Sequence, residues 1–144
     1  MEIQVKVIHP DAVVPSYAHE GDAGCDLVAV ESCVIKAGGG RAMVSTGLSI
    51  AIPERFGGFI LPRSGLASKH GVTCVNSPGL IDAGYRGEVR VALVNLDPKD
   101  DYEVKKGDRI AQLVVMPVAT VVFTLAEELP PATRGHGGFG SSGR

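Results

Sequence analysis

Apolar and polar positions alternate along this chain in short runs, each closed by glycine, proline or aspartate. Ile3-Gln4-Val5-Lys6-Val7 alternates strictly and predicts a half-buried strand, which His9-Pro10-Asp11 ends. A loop over residues 13–22 delivers the chain to Asp26 and a short apolar strand at 27–30. Gly38-Gly39-Gly40 predicts a loose connection. Residues 41–52, rich in Val, Ser, Thr and Ile, read as one long strand or as a pair broken by a bulge at Gly47. Residues 56–61 form another strand, and 62–71 hold the one segment of helical character, with room for a short helix at most. Residues 88–94 alternate and then turn wholly apolar, the pattern of a strand covered on both faces near its end. Residues 97–101 and 105–108 predict exposed turns. Residues 110–116 are an almost continuous apolar run interrupted by Gln112, and 118–125 predict the last strand. No window of about 11 residues or more carries a 3.6-residue period. Short strands between turn residues argue for an all-β fold, a sandwich, jelly roll or barrel.

The stretch from Asn76 to Val89, Asn-Ser-Pro-Gly-Leu-Ile-Asp-Ala-Gly-Tyr-Arg-Gly-Glu-Val, organises the rest. Pro78-Gly79 and Ala83-Gly84 supply turn chemistry twice, which predicts a tight hairpin whose backbone groups face a pocket and whose end projects Asp82 and Tyr85. Backbone groups there can read a flat polar ring. Apolar neighbours Leu80 and Ile81 would hold water off the Asp82 carboxylate and suit it to act as a base; an ordinary hairpin with an aspartate in its turn has the same pattern. Arg63-Ser64-Gly65 offers a guanidinium, a hydroxyl and a close backbone amide, an anion-binding set that a surface turn can also present. Gln112 inside an apolar strand needs a polar neighbour, an edge or a ligand.

Composition narrows the picture. At 144 residues and 15.0 kDa the chain predicts one β domain, residues 1–126, followed by an arm, 127–144. Pro130-Pro131 stops the fold. The glycine- and serine-rich tail beyond it holds one bulky apolar residue and is expected to be disordered when free. Arg134 and Phe139 within it suit an arm that folds over a ligand, the one meeting an anion and the other a planar ring. Fourteen Lys+Arg against sixteen Asp+Glu, a net charge of -2, give no support for binding a nucleic-acid polymer or an anionic membrane. Three cysteines, Cys25, Cys33 and Cys74, lack metal-type spacing and read as free thiols, which points to the cytoplasm. With no charged leader and no run approaching about 18 apolar residues, neither secretion nor membrane spanning is expected.

Five stretches together resemble the five motifs of the trimeric dUTP diphosphatase (dUTPase) family. They are Ala23-Gly24-Cys25-Asp26-Leu27, Pro62-Arg63-Ser64-Gly65-Leu66-Ala67, residues 79–87, residues 107–113 and residues 134–141, in the family's order and spanning most of the chain. The resemblance implies hydrolysis of dUTP to dUMP and pyrophosphate on a jelly-roll-like β fold, assembled as a homotrimer with sites between subunits. It implies Asp82 as the general base toward the attacking water and Tyr85 against the deoxyribose, where it leaves no room for a 2′-hydroxyl. Asn76 with the backbone of Gly79, Leu80 and Ile81 would pair with uracil. Arg63, Ser64, Gly65 and Gln112 would grip the phosphates. In the arm, Arg134, Gly140, Ser141 and Ser142 would reach the terminal phosphate and Phe139 would stack on the base. Asp26 would meet, through water, a Mg²⁺ held mainly by the substrate phosphates, and Arg90 would face the same pocket. A dCTP deaminase shares the Arg63-Ser64 and Ile81-Asp82 positions but needs a glutamate in the pocket and usually lacks the arm. A non-catalytic nucleotide sensor would be expected to lack the base.

Overall fold

A computed structural model describes residues 1–133 and 135–138 of the chain. Eleven strands and one short helix follow one another among these residues. In chain order the strands are β1 (Gln4–Val7), β2 (Cys25–Val28), β3 (Cys33–Ile35), β4 (Gly40–Ser45), β5 (Leu48–Ala51) and β6 (Phe56–Pro62). The helix α1 (Ser64–His70) comes next, then β7 (Val72–Cys74), β8 (Gly79–Ile81), β9 (Arg90–Asn95), β10 (Tyr102–Val104) and β11 (Arg109–Pro117). Every pairing is antiparallel. One sheet runs β2-β11-β6-β8 and another β4-β9-β7, and two-stranded ribbons pair β1 with β5 and β10 with β3. This is an all-β, jelly-roll-like fold. No helix of the described residues is long and apolar enough to cross a membrane.

The inward positions of the alternating strands make the core. Val91 and Leu93 of β9, Val44 of β4, Leu48 and Ile50 of β5, Leu27 of β2 and Ile110 of β11 are essentially sealed from solvent. With no tryptophan, the interior is filled by branched aliphatic side chains whose few rotamers suit a pleated surface. Two polar residues are sealed with them. Thr46 donates through Oγ1 to the Val89 carbonyl, and Asn95 donates through Nδ2 to the carbonyls of Ile35 and Asp100 while its Oδ1 accepts from the Asp97 amide.

Most expected strands are present, and the departures are instructive. Residues 41–52 are two strands in different sheets, because Gly47 turns the chain at φ 67° where a side chain would collide with Cβ of His9 and Ala12. The glycine triplet is not loose: the amides of Gly38, Gly39 and Gly40 donate to the carbonyls of Asp97, Asn95 and Lys36. β1 is more exposed than a half-buried strand, with Val7 facing solvent. β9 keeps its alternation to the end instead of being covered on both faces. The strand expected at 118–125 is absent. The Val118 amide donates to the Arg55 carbonyl, and beyond it no strand among the described residues pairs with the chain, leaving Val122, Phe123 and Leu125 almost fully exposed.

Candidate active site

The stretch expected to be a hairpin is built differently. β8 does not pair with β9; it is the edge strand beside β6, in register Gly79↔Ile60, Leu80↔Phe59 and Ile81↔Gly58. Its outer edge has no partner strand among the described residues, so main-chain donors and acceptors there are open to a ligand. The bend before it contains a cis Ser77–Pro78 bond, and neither Gly79 nor Gly84 adopts a positive φ. Gly79 serves another purpose: a Cβ there would press on Asn76 Nδ2 and Ile60 Cβ, each 3.3 Å away, so its absence lets the strand lie close to Asn76.

Asn76, Gly79, Leu80, Ile81, Asp82, Tyr85 and Arg90 line one pocket of about 330 Å³, within the range of small-molecule sites. Met43, Ile60, Glu88 and Val89 complete it, and the sequence reading did not anticipate these four. Met43 sits on the outward face of β4, where alternation gives no hint of function. Asp82 is exposed at the end of β8. The expected apolar shield is only half there, since Ile81 is buried but Leu80 is 61% exposed. Among the described residues, the Leu80 side leaves the carboxylate open to water.

The far wall of the pocket is braced by hydrogen bonds. Tyr85 donates its amide to the Asp82 carbonyl at 3.0 Å and its hydroxyl to the Glu88 carbonyl at 2.8 Å. Arg86 clamps the same turn, donating to the carbonyls of Ala83 and Tyr85. Glu88 accepts from the Gly47 amide, Ser49 donates to the Arg86 carbonyl, and Val89 donates to the Leu48 carbonyl. The β4–β5 corner thereby fixes the Tyr85 turn. Gly87 makes room for the phenol, because a Cβ would stand 2.5 Å from Tyr85 Oη and 2.7 Å from its Cζ and would push the ring aside. Arg90 donates to the Met43 carbonyl at 3.3 Å.

A second cluster forms at the other side of the same sheet. Asp26 of β2 lies opposite Gln112 of β11, which in turn lies opposite Leu61 of β6. Asp26 Oδ1 is 3.0 Å from Arg63 Nε, and Asp26 Oδ2 accepts from Arg109 Nη1 at 3.1 Å. Arg63 Nη1 donates to the Arg109 carbonyl at 3.1 Å. The role of Arg109 was not anticipated; its only signal was its place inside the 107–113 motif. Arg63 is the extended residue capping α1, and Ser64 and Gly65 follow it on the exposed first turn with open space beside Gly65. The half-buried Gln112 makes no side-chain hydrogen bond among the described residues. Near this cluster, burial foremost and the Asp108 carboxylate next push the Tyr102 hydroxyl up, while Arg63 opposes them. The neighbouring Cys25 thiol is also raised, chiefly by burial. No group of three or more His, Cys, Asp or Glu among the described residues is arranged to hold a metal unaided.

The register sets how far apart the two clusters lie. Asp26 is level with Leu61 and Asp82 lies one residue past the level of Gly58, with three strand spacings between β2 and β8. Strand rise and spacing put their backbones about 20 Å apart. Arg134, Phe139, Gly140, Ser141 and Ser142 lie outside the described residues.

Comparison with known proteins identifies the family. The dUTPase family model matches residues 11–143. A deoxyuridine 5'-triphosphate nucleotidohydrolase of Thermobifida fusca is 50% identical over 143 residues, covering 99% of this chain and 79% of that protein. Another from Leifsonia xyli subsp. xyli is 55% identical over 130 residues, covering 90% and 85%. The structure of Staphylococcus bacteriophage 80alpha dUTPase with dUPNHPP matches at a TM-score of 0.92 and 31% identity, over 99% of each chain. A family match over nearly the whole length, on a fold that opens the edge of β8 beside Asp82, gives one conclusion: this chain belongs to the dUTPase family.

Proposed function

We propose that the chain hydrolyses dUTP to dUMP and pyrophosphate, keeping uracil out of DNA and supplying dUMP for thymidylate synthesis. The observation that carries this reading is the convergence of Asp82, Asn76, Tyr85 and the free edge of β8 on one pocket in a member of the dUTPase family. Uracil pairs with the β8 backbone and Asn76, and a thymine methyl clashes with the close main chain at Gly79. Tyr85 packs against the deoxyribose. Asp82 takes a proton from the attacking water as its oxygen bonds to the α-phosphorus, and the bond from phosphorus to the pyrophosphate oxygen breaks.

The phosphates meet Arg63, Ser64, Gly65 and Gln112. With the backbones of the two clusters about 20 Å apart in one chain, we assign each site to two copies, one giving the base pocket and the other the phosphate grip. The apolar segment 118–125, with Phe123 92% exposed, supports an assembly in which a neighbouring copy covers it. The assembly we propose is a homotrimer. Neighbouring copies also provide the shield that Leu80 lacks in isolation. Arg134, Phe139, Gly140, Ser141 and Ser142 then close over the terminal phosphate and the base, excluding water before the reaction.

Mg²⁺ neutralises the triphosphate when bound. The donor set suits an ion carried mainly by phosphate oxygens, because both oxygens of Asp26 already face guanidiniums and its contact with the ion must run through water. Cytoplasmic residence rests on three cysteines that are all free thiols. Pyrophosphate release with Mg²⁺ from dUTP, dCTP, dTTP and UTP tests the proposal. Cleavage of dUTP alone is expected. Ammonia released from dCTP, or binding of dUTP without cleavage, would refute it.

A further inference from the structure

Arg63 and Asp26 are close but not aligned. Asp26 Oδ1 and Arg63 Nε stand 3.0 Å apart, yet both are buried and neither has a hydrogen bond of acceptable geometry. That contact supplies attraction without direction. The directional bonds in the cluster both involve Arg109: its guanidinium donates to Asp26 Oδ2, and its carbonyl accepts from Arg63 Nη1. A ring therefore closes from Arg63 to Asp26 to Arg109 and back to Arg63, joining β2, β11 and the residue that caps α1. Asp26, with 16% of its side chain exposed, is tightly confined, whereas the Arg109 side chain is 55% exposed and packs less. A residue at the start of β11, half in solvent, would ordinarily be a dispensable charge. Here it is the group that orients the carboxylate against which the phosphate-gripping guanidinium rests.

We propose that Arg109 is a positioning residue for the phosphate grip. Through Asp26 and through its own carbonyl it fixes the plane of the Arg63 guanidinium, leaving the rest of that fork to the substrate phosphates. This rests on the reading of the chain as a dUTP hydrolase with Arg63 on the phosphates. Pre-orientation matters because an arginine free to rotate must be ordered again in every turnover.

A double-mutant cycle on the full-length protein tests it, with pyrophosphate release from dUTP as the readout and thermal melting and sedimentation as controls. Arg109→Ala is expected to lower kcat/KM about tenfold with melting and assembly unchanged, and Arg109→Lys, which restores a cation beside Asp26, to recover part of the loss. In an Arg63→Ala background, Arg109→Ala is expected to cost nothing further, since it acts only through Arg63. Multiplying losses would show that Arg109 touches the phosphates itself and would overturn the proposal, as would wild-type kinetics in Arg109→Ala. A loss that tracks a fall in melting temperature or assembly would reduce Arg109 to a structural role. Should Arg109→Ala not fold, Arg109→Gln, which keeps an N–H donor for Asp26 without the charge, takes its place in the cycle with the same outcomes. If the unaltered protein leaves dUTP intact, the functional reading fails first and this inference falls with it.

Discussion

At the scale of single residues, the pocket separates a chemical group from the groups that shape space around it. Asp82 is the one carboxylate at the end of β8, so Asp82→Asn should retain dUTP binding in a titration while turnover falls by about 10²-fold or more, the usual worth of a general base. Full turnover in that variant would take Asp82 out of the reaction. Gly87 acts through Tyr85. Its missing Cβ makes room for the phenol, which donates to the Glu88 carbonyl. Gly87→Ala should therefore displace the ring and lower the preference for dUTP over UTP, measured as the ratio of kcat/KM values, by about tenfold. An unchanged ratio would mean that Tyr85 does not read the sugar. Asp82 and Tyr85 were legible because most of the pocket lining runs in one stretch from Asn76 to Arg90, whereas the part played by Gly87 was not. Arg109 was not, because its link to Asp26 spans 83 residues and arises only from the pairing of β11 with β2.

Among elements, alternation located the longer strands and failed where physics outside the local pattern decides. Cys33–Ile35 and Tyr102–Val104 are three residues each, too short to display a period, and they exist because they pair with one another. Their ribbon is tied to β9 by Asn95, which is fully buried and makes three side-chain hydrogen bonds. Asn95→Ala should cost about 2–4 kcal/mol in urea-induced unfolding, as expected when buried donors and acceptors lose their partner. Turnover at temperatures well below melting should survive, since Asn95 lies outside both clusters. The hairpin expectation failed for a related reason. Turn residues predicted that the chain bends, but not that the strand after the bend would join β6 instead of its sequence neighbour.

For the whole molecule, the apolar pattern at 118–125 predicted a strand that the described residues do not form, and its large side chains stay exposed. Sequence periodicity reports a strand's need for neighbours without saying who supplies them. Sedimentation of the full chain should give three times 15.0 kDa. Removal of residues 118–144 should abolish that assembly, whereas truncation before Arg134 should keep it and remove most catalysis. A truncated trimer of full activity would make the arm dispensable. The wide spacing of Asp82 from Arg63 along one sheet carries a genetic consequence. Two impaired proteins, Asp82→Asn and Arg63→Ala, unfolded and reassembled together, would form mixed trimers in which some sites receive both intact halves. The mixture should be much more active than either parent alone, so two crippled alleles in one cell could rescue each other.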